Sequence, residues 1–360
     1  MARPEEEWSD MKITPRKTLY AALLILCTLI AIGGVVAVLL IYPGTPGNAK
    51  SLAFKGYVLL PKGALLTVLD YMNVTDTRLF VTDVSTGSVY KIALHNQSLP
   101  SDQDVSVFAL EPAAHGVVVD PLTGLAYVSR SKANTVDIFD PATMKLIVRI
   151  PVADDPDGIF YDPFHKLVYV ASGDAKIGTV IDPATRSAIA RIPLGGKPEF
   201  AVFDPQTNLM YQNLQSTNSV VAVDLEKKAV AQHWALDQCQ GPSGIAVDET
   251  NRRLFIVCSG NSALVIFDLS KQRVIQSFPI GGGPDSVVFD VRLHRIYTIG
   301  RSGVLVVFQQ DSPDRYHMID SVKLHFGAHT LAVDSATHFV YVGYASLVVR
   351  PRVAVFQPLP

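Results

Sequence analysis

Charge is scarce in this chain. Asp, Glu, Lys and Arg make up 18% of its 360 residues, and the formal net charge is −2. No run of Lys or Arg is present, which argues against a nucleic-acid partner. Cysteine is nearly absent: Cys27, Cys239 and Cys258 are the whole complement, and none forms a CxxC or CxxCH motif. HExxH, GxSxG, Walker and GxGxxG motifs are missing as well. These gaps exclude a zinc protease, a nucleophile-elbow hydrolase, a P-loop enzyme and an attached c-type haem. Chemistry carried by residues scattered along the chain stays open.

What the chain has is hydrophobic residues, 48% of the total, in two different arrangements. After a polar tail, residues 1–17, the segment from Thr18 to Tyr42 runs 25 residues without a charge. As a helix it rises about 37 Å, enough to cross a hydrocarbon core of about 30 Å with some tilt. A cleaved signal peptide is the rival, but its apolar core is normally about 7–15 residues and no A-x-A site follows. Basic residues just before the segment, Arg16 and Lys17, keep the N-terminus cytoplasmic and put the rest outside the cytoplasm. A Pro/Gly linker over 43–51 then reaches at most about 30 Å, tying the body, 52–360, to the bilayer.

The body is periodic. The stretch His115–Val152 holds four short apolar runs parted by Asp, Pro, Gly and Ser, a pattern of strands and turns. An Asp closing the first run recurs at Asp120, Asp162, Asp204, Asp248, Asp290 and Asp334, in steps of 42, 42, 44, 42 and 44 residues. Seven positions after each stands an aromatic: Tyr127, Tyr169, Tyr211, Phe255, Tyr297 and Tyr341. A second marker follows at Asp140, Asp182, Asp224 and Asp268. Four strands per period of about 40–45 residues mark the blade of a β-propeller. A divergent unit near 64–110 brings the blades to seven. The last repeat lacks a fourth strand, and Phe54–Leu60 supplies one: Tyr57–Leu60 is expected beside Val353–Phe356, closing the ring and hiding its edges. The fold class is therefore all-β, a seven-bladed propeller of four-stranded antiparallel blades behind one transmembrane helix.

These units resemble the YVTN-repeat family of seven-bladed propellers. Its P-x-G opening matches Pro156-Asp157-Gly158 and Pro242-Ser243-Gly244, and its Tyr-Val-Thr-Asn strand matches Tyr127-Val128-Ser129-Arg130, Tyr169-Val170-Ala171-Ser172 and Phe80-Val81-Thr82-Asp83. The four-letter motif is nowhere complete. The resemblance, over about 52–360, implies a fold and a surface or periplasmic setting but little about activity.

Five residues before each Asp marker, the crossover between blades presents one side chain at the channel mouth: His115, Asp157, Glu199, Ser243, Asp285 and His329, with Leu65 in the divergent blade if Asp70 is its marker. Imidazoles and carboxylates converging from separate blades suit a divalent metal, with His115 and His329 the candidate ligands, or another cation. The opposing expectation is a hydrated funnel. The Asp markers are expected to cap turns, and His165, His294 and His338 to lie on the far face. Arg130, Lys132 and Arg301 are expected on exposed mouth-side loops. Cys239 and Cys258 fall in mouth-side loops of one blade, where an oxidising compartment would let them join. Two N-x-S/T sequons, Asn73 and Asn96, are expected in turns away from the mouth.

Together these features point to an anchored extracytoplasmic module that binds a protein partner in or near the same membrane. The alternatives are a lactonase-type hydrolase or oxidoreductase at the mouth, or a metal-binding protein.

Overall fold

The computed structural model describes residues 46, 49–61, 67–95, 98–109, 111–344 and 350–360. Two compact units divide the chain, Met1–Pro43 and Gly44–Pro360. The first, with the expected helix over 18–42, lies outside the described residues; everything below concerns the second. Among the described residues no helix is long and apolar enough to cross a membrane.

Twenty-eight strands, β1 to β28 in chain order, form seven four-stranded sheets among the described residues. Six sheets are simple meanders, spanning 69–109, 114–151, 156–193, 198–235, 242–279 and 284–323. The seventh is assembled from both ends of the body. β1 (Leu52–Leu59) pairs antiparallel with β28 (Arg352–Pro358), which continues to β27 (Val340–Tyr344) and β26 (Thr330–Val333). Tyr57 faces Ala354 and Val58 faces Val353. The closure has a physical cause: an unpaired edge at β28 would leave a row of main-chain donors and acceptors exposed.

The innermost strand of each blade starts at the channel mouth and ends at the far face. These strands are β2 (Leu69–Thr75), β6 (Ala114–Val119), β10 (Pro156–Asp162), β14 (Pro198–Asp204), β18 (Pro242–Asp248), β22 (Pro284–Asp290) and β26. Following the pairing from β26 through β27 and β28 to β1, Leu52 sits at the far face and Leu59 at the mouth end. The chain before β1 therefore joins the propeller at the face opposite the mouth.

Packing lies between blades. Val58, Leu60, Leu69, Leu79, Tyr341 and Val353 form one buried cluster across the seam of the last and first blades. The repeated Tyr127, Tyr169 and Tyr297 are fully buried. The Asp markers cap their turns: Asp120 Oδ1 accepts from the Leu122 amide at 2.9 Å and Oδ2 from the Thr123 hydroxyl at 2.6 Å. Several also stitch blades together, as when the Arg252 guanidinium meets Asp204 at 2.6 Å and the His338 ring meets Asp290 at 2.8 Å. Cys239 and Cys258 are joined in a disulfide.

Three expectations need correcting. Arg130 is not on an exposed loop; it ends a strand, 2% exposed, against the buried Asp137. Asn73 lies inside β2, half-buried, because the divergent blade turns later than its Asp70 suggested. Asn96 and Leu65 lie outside the described residues. The register shows why Leu65 was the wrong choice. Leu69 pairs with Asp83 as Pro156 pairs with Ser172, so Asp70 occupies the place of Asp157 and is a mouth residue rather than a turn marker.

Candidate functional site

Seven equivalent positions, one per blade, open the inner strands: Asp70, His115, Asp157, Glu199, Ser243, Asp285 and His329. Pro or Ala precedes six of them and Leu69 precedes Asp70, and the crossover from the previous blade delivers each. Ser243 is the exception in behaviour: it is fully buried, with its hydroxyl donating to the Pro284 carbonyl at 3.2 Å. The remaining six line the mouth.

The next residue in each strand builds the floor. In the second, third and fifth blades it is Gly116, Gly158 and Gly244, and in the first and fourth it is Tyr71 and Phe200. Glycine is needed because neighbouring strands come close: a Cβ on Gly116 would stand 2.7 Å from the Asp157 carbonyl oxygen. Tyr71 and Phe200 reach in from separated blades and stack, with ring centroids 4.5 Å apart and planes 20° apart. Gly158 makes room for the Tyr71 hydroxyl, which would lie 3.1 Å from a Cβ there. Beyond this floor the channel widens into a cavity of about 790 Å³ that reaches the far-face turns, lined by Tyr71, Phe200, Val117, Ile159, Phe160 and Val202 among others. None of the mouth residues lines that cavity.

Above the floor the polar groups converge. His115 Nδ1 stands 2.7 Å from Asp70 Oδ2 and 3.4 Å from Asp157 Oδ1, and its Nε2 is 3.0 Å from the Ser131 hydroxyl. His329 donates from Nδ1 to the Gly327 carbonyl at 2.9 Å and turns Nε2 toward Asp70 Oδ1 at 3.9 Å. Arg301, largely exposed, stands off Asp285 at 4.0 Å.

The electrostatics follow from crowding carboxylates in a partly dry funnel. Burial alone would raise the Asp70 carboxyl, but hydrogen bonds and charge from His115 and His329 hold it well below the usual range. Burial opposes protonating both imidazoles, yet Asp70 raises each of them, helped by Asp157 at His115 and by Asp285 at His329. Carboxylates that no imidazole hydrogen-bonds go the other way. Burial, then the charge of Asp70, pushes Asp157 up to about 7. Burial, then Asp157, pushes Glu199 up to about 8, and burial raises Asp285 as well. The Tyr71 phenol is raised by burial and by Asp157, Asp70, Glu199 and Asp285 together, so all four carboxylates bear on one atom at the floor.

The structure thus brings His115, Asp157, Glu199, Asp285 and His329 to one mouth, but it does not make His115 and His329 a direct pair. Asp70 stands between them. Sequence reasoning missed Asp70, and it missed Tyr71 and Phe200. The available signal was the aromatic side chain in a slot where three other blades carry glycine and two carry Ser286 and Thr330.

Fold and site together define an all-β, seven-bladed propeller with an acidic, histidine-bearing mouth over an aromatic floor. Among solved structures the chain is similar to hydrazine synthase from Kuenenia stuttgartiensis, at 16% identity over 78% of this chain and 94% of that one, with a TM-score of 0.68. It is also similar to virginiamycin B lyase from Staphylococcus aureus, at 12% identity over 85% of this chain and all of that one, again with a TM-score of 0.68. At such identities the likeness is one of fold. No family model matches the chain, and no curated protein does either.

Proposed function

We propose that this chain is a membrane-anchored, extracytoplasmic binding propeller whose channel mouth takes a cationic ligand. One observation carries the reading: four carboxylates and two imidazoles from six blades converge above an aromatic floor, and all four carboxylates act on the Tyr71 hydroxyl. Besides His115 and His329, Lys197 and Arg301 are the basic side chains whose charge reaches Asp157, Glu199 or Asp285. Like charges crowded this way favour a cation that restores balance. The anchor rests on the uncharged run 18–42, and the extracytoplasmic setting is supported by the Cys239–Cys258 disulfide. Loops that differ from blade to blade suit a protein partner in or near the same membrane.

A second reading has its own observation. Asp157 and Glu199, held near 7 and 8, are placed to exchange protons at neutral pH, as a propeller lyase or hydrolase would require.

Thermal melts of the full chain in detergent at pH 8 test the binding reading. At least one cation among Ca²⁺, Mn²⁺, Zn²⁺ and spermidine should raise Tm, since a ligand at 100 times its Kd stabilises by about 2.7 kcal/mol. The combined Asp157→Asn, Glu199→Gln variant should lose that response. A flat response to every cation contradicts the reading, and a bound ligand returned chemically altered favours the catalytic one.

A further inference from the structure

We propose that Asp70, His115 and Asp157 chelate one first-row divalent transition-metal ion, with Zn²⁺, Mn²⁺ and Co²⁺ the best matched. The inference rests on the cation-binding reading and narrows its ligand class. Three successive blades supply the three residues, and one ligand atom from each lies within 4.8 Å of the others. Their common point is His115 Nδ1, with Asp70 Oδ2 at 2.7 Å and Asp157 Oδ1 at 3.4 Å. Nitrogen and oxygen ligands held about 2.0–2.2 Å from a tetrahedral ion stand about 3.3 Å apart. His115 and Asp157 already have that spacing, and the Asp70 contact needs to open by about 0.6 Å to reach it.

The hydrogen bonding of Asp157 points the same way. Asp157 Oδ1 is buried and accepts no hydrogen bond among the described residues. Its nearest partner is His115 Nδ1 at 3.4 Å, and a buried carboxylate oxygen without a hydrogen bond is costly, a cost that a metal bond would relieve. The imidazole is already oriented for the task. With the ion on Nδ1, the Nε2 hydrogen donates to Ser131 Oγ, 3.0 Å away, the outer contact that fixes the ring of a metal-bound histidine. His329 backs Asp70 from the other side, its own ring set by the Gly327 carbonyl. An imidazole in the set favours transition metals over Ca²⁺ and Mg²⁺, which prefer oxygen alone. Binding forms the Nδ1–metal bond and releases the Nδ1 proton to solvent, with no change in oxidation state.

The test is metal content and calorimetric titration of the full chain in detergent, first stripped with a chelator and then offered Zn²⁺, Mn²⁺, Ca²⁺ or spermidine in turn. One transition-metal ion per chain is expected. His115→Ala and Asp157→Asn should each weaken it at least about 100-fold, and Ser131→Ala about 10-fold. Asp237→Asn, exposed on the crossover into the fifth blade and away from the three ligand blades, should leave it unchanged, and melting curves confirm that each variant is folded. Spermidine binding without metal binding overturns the site while sparing the cation reading. No binding by any cation removes both. Metal binding indifferent to His115 and Asp157 places the ion elsewhere and also overturns the proposal.

Discussion

Glu199 shows how a single side chain records its surroundings. Burial comes first, then the charge of Asp157, then an opposing pull from Lys197, then Asp285 and Asp70, and together they hold its carboxyl up to about 8. An unfolded glutamate titrates near 4.3. Between about 4.3 and 8 the folded chain therefore keeps a proton that the unfolded chain has lost, so this group's contribution to stability falls as pH rises across that window and levels off above it. Glu199→Gln has no proton to lose. Its melting temperature relative to the parent should climb by about 2–5 °C between pH 5 and pH 8, measured by parallel melts; a gap constant with pH would contradict the shift. Tyr71 tests the floor. Tyr71→Ala removes a stacked, buried ring and should cost about 3–5 kcal/mol, whereas Tyr71→Phe keeps the stack with Phe200 and should cost much less. Equal losses in chemical denaturation would mean that the hydroxyl, not the stack, holds the floor.

Elements decide which residues meet. The repeat markers made the blades legible because each Asp has a local job, capping a turn that every blade must make. The first blade hid its mouth residue for the same reason. It turns through the two-residue hairpin Asp76-Thr77, with Thr75 opposite Arg78 where other blades carry the Asp marker, so Asp70 only mimics a marker. The stacking of Tyr71 on Phe200 was invisible to periodicity, because it joins distant repeats through the channel axis. β1 is the element on which closure turns. Val58 is 1% exposed and packs across the last seam, so Val58→Asp places an unpaired charge there and should cost about 3–5 kcal/mol and leave the final blade open to protease. Cleavage near 352–358 well below the global unfolding temperature is the expected readout; cleavage spread evenly over the blades would deny β1 its role. The Cys239–Cys258 bond closes a short loop within one blade and contributes about 3 kcal/mol, which reduction in a urea titration would reveal.

At the scale of the whole propeller, ring closure converts a linear array of repeats into a set of converging side chains. Residues 45 positions apart, Asp70 and His115, come to 2.7 Å only because adjacent inner strands start at the same mouth. The sequence made the ring and most of its rim legible. The division of the channel by a floor, and the buried Asp157 oxygen facing His115, depend on side-chain directions that spacing does not encode. β1 begins at the far face, at Leu52 opposite Pro358, and ends at the mouth. The most direct measurement of all this is anomalous diffraction from crystals of the full chain grown with Mn²⁺ or Zn²⁺. A single peak within about 2.0–2.3 Å of Asp70, His115 and Asp157, above Tyr71, is predicted. A mouth empty of anomalous signal while the ion sits at another place on the propeller would contradict it.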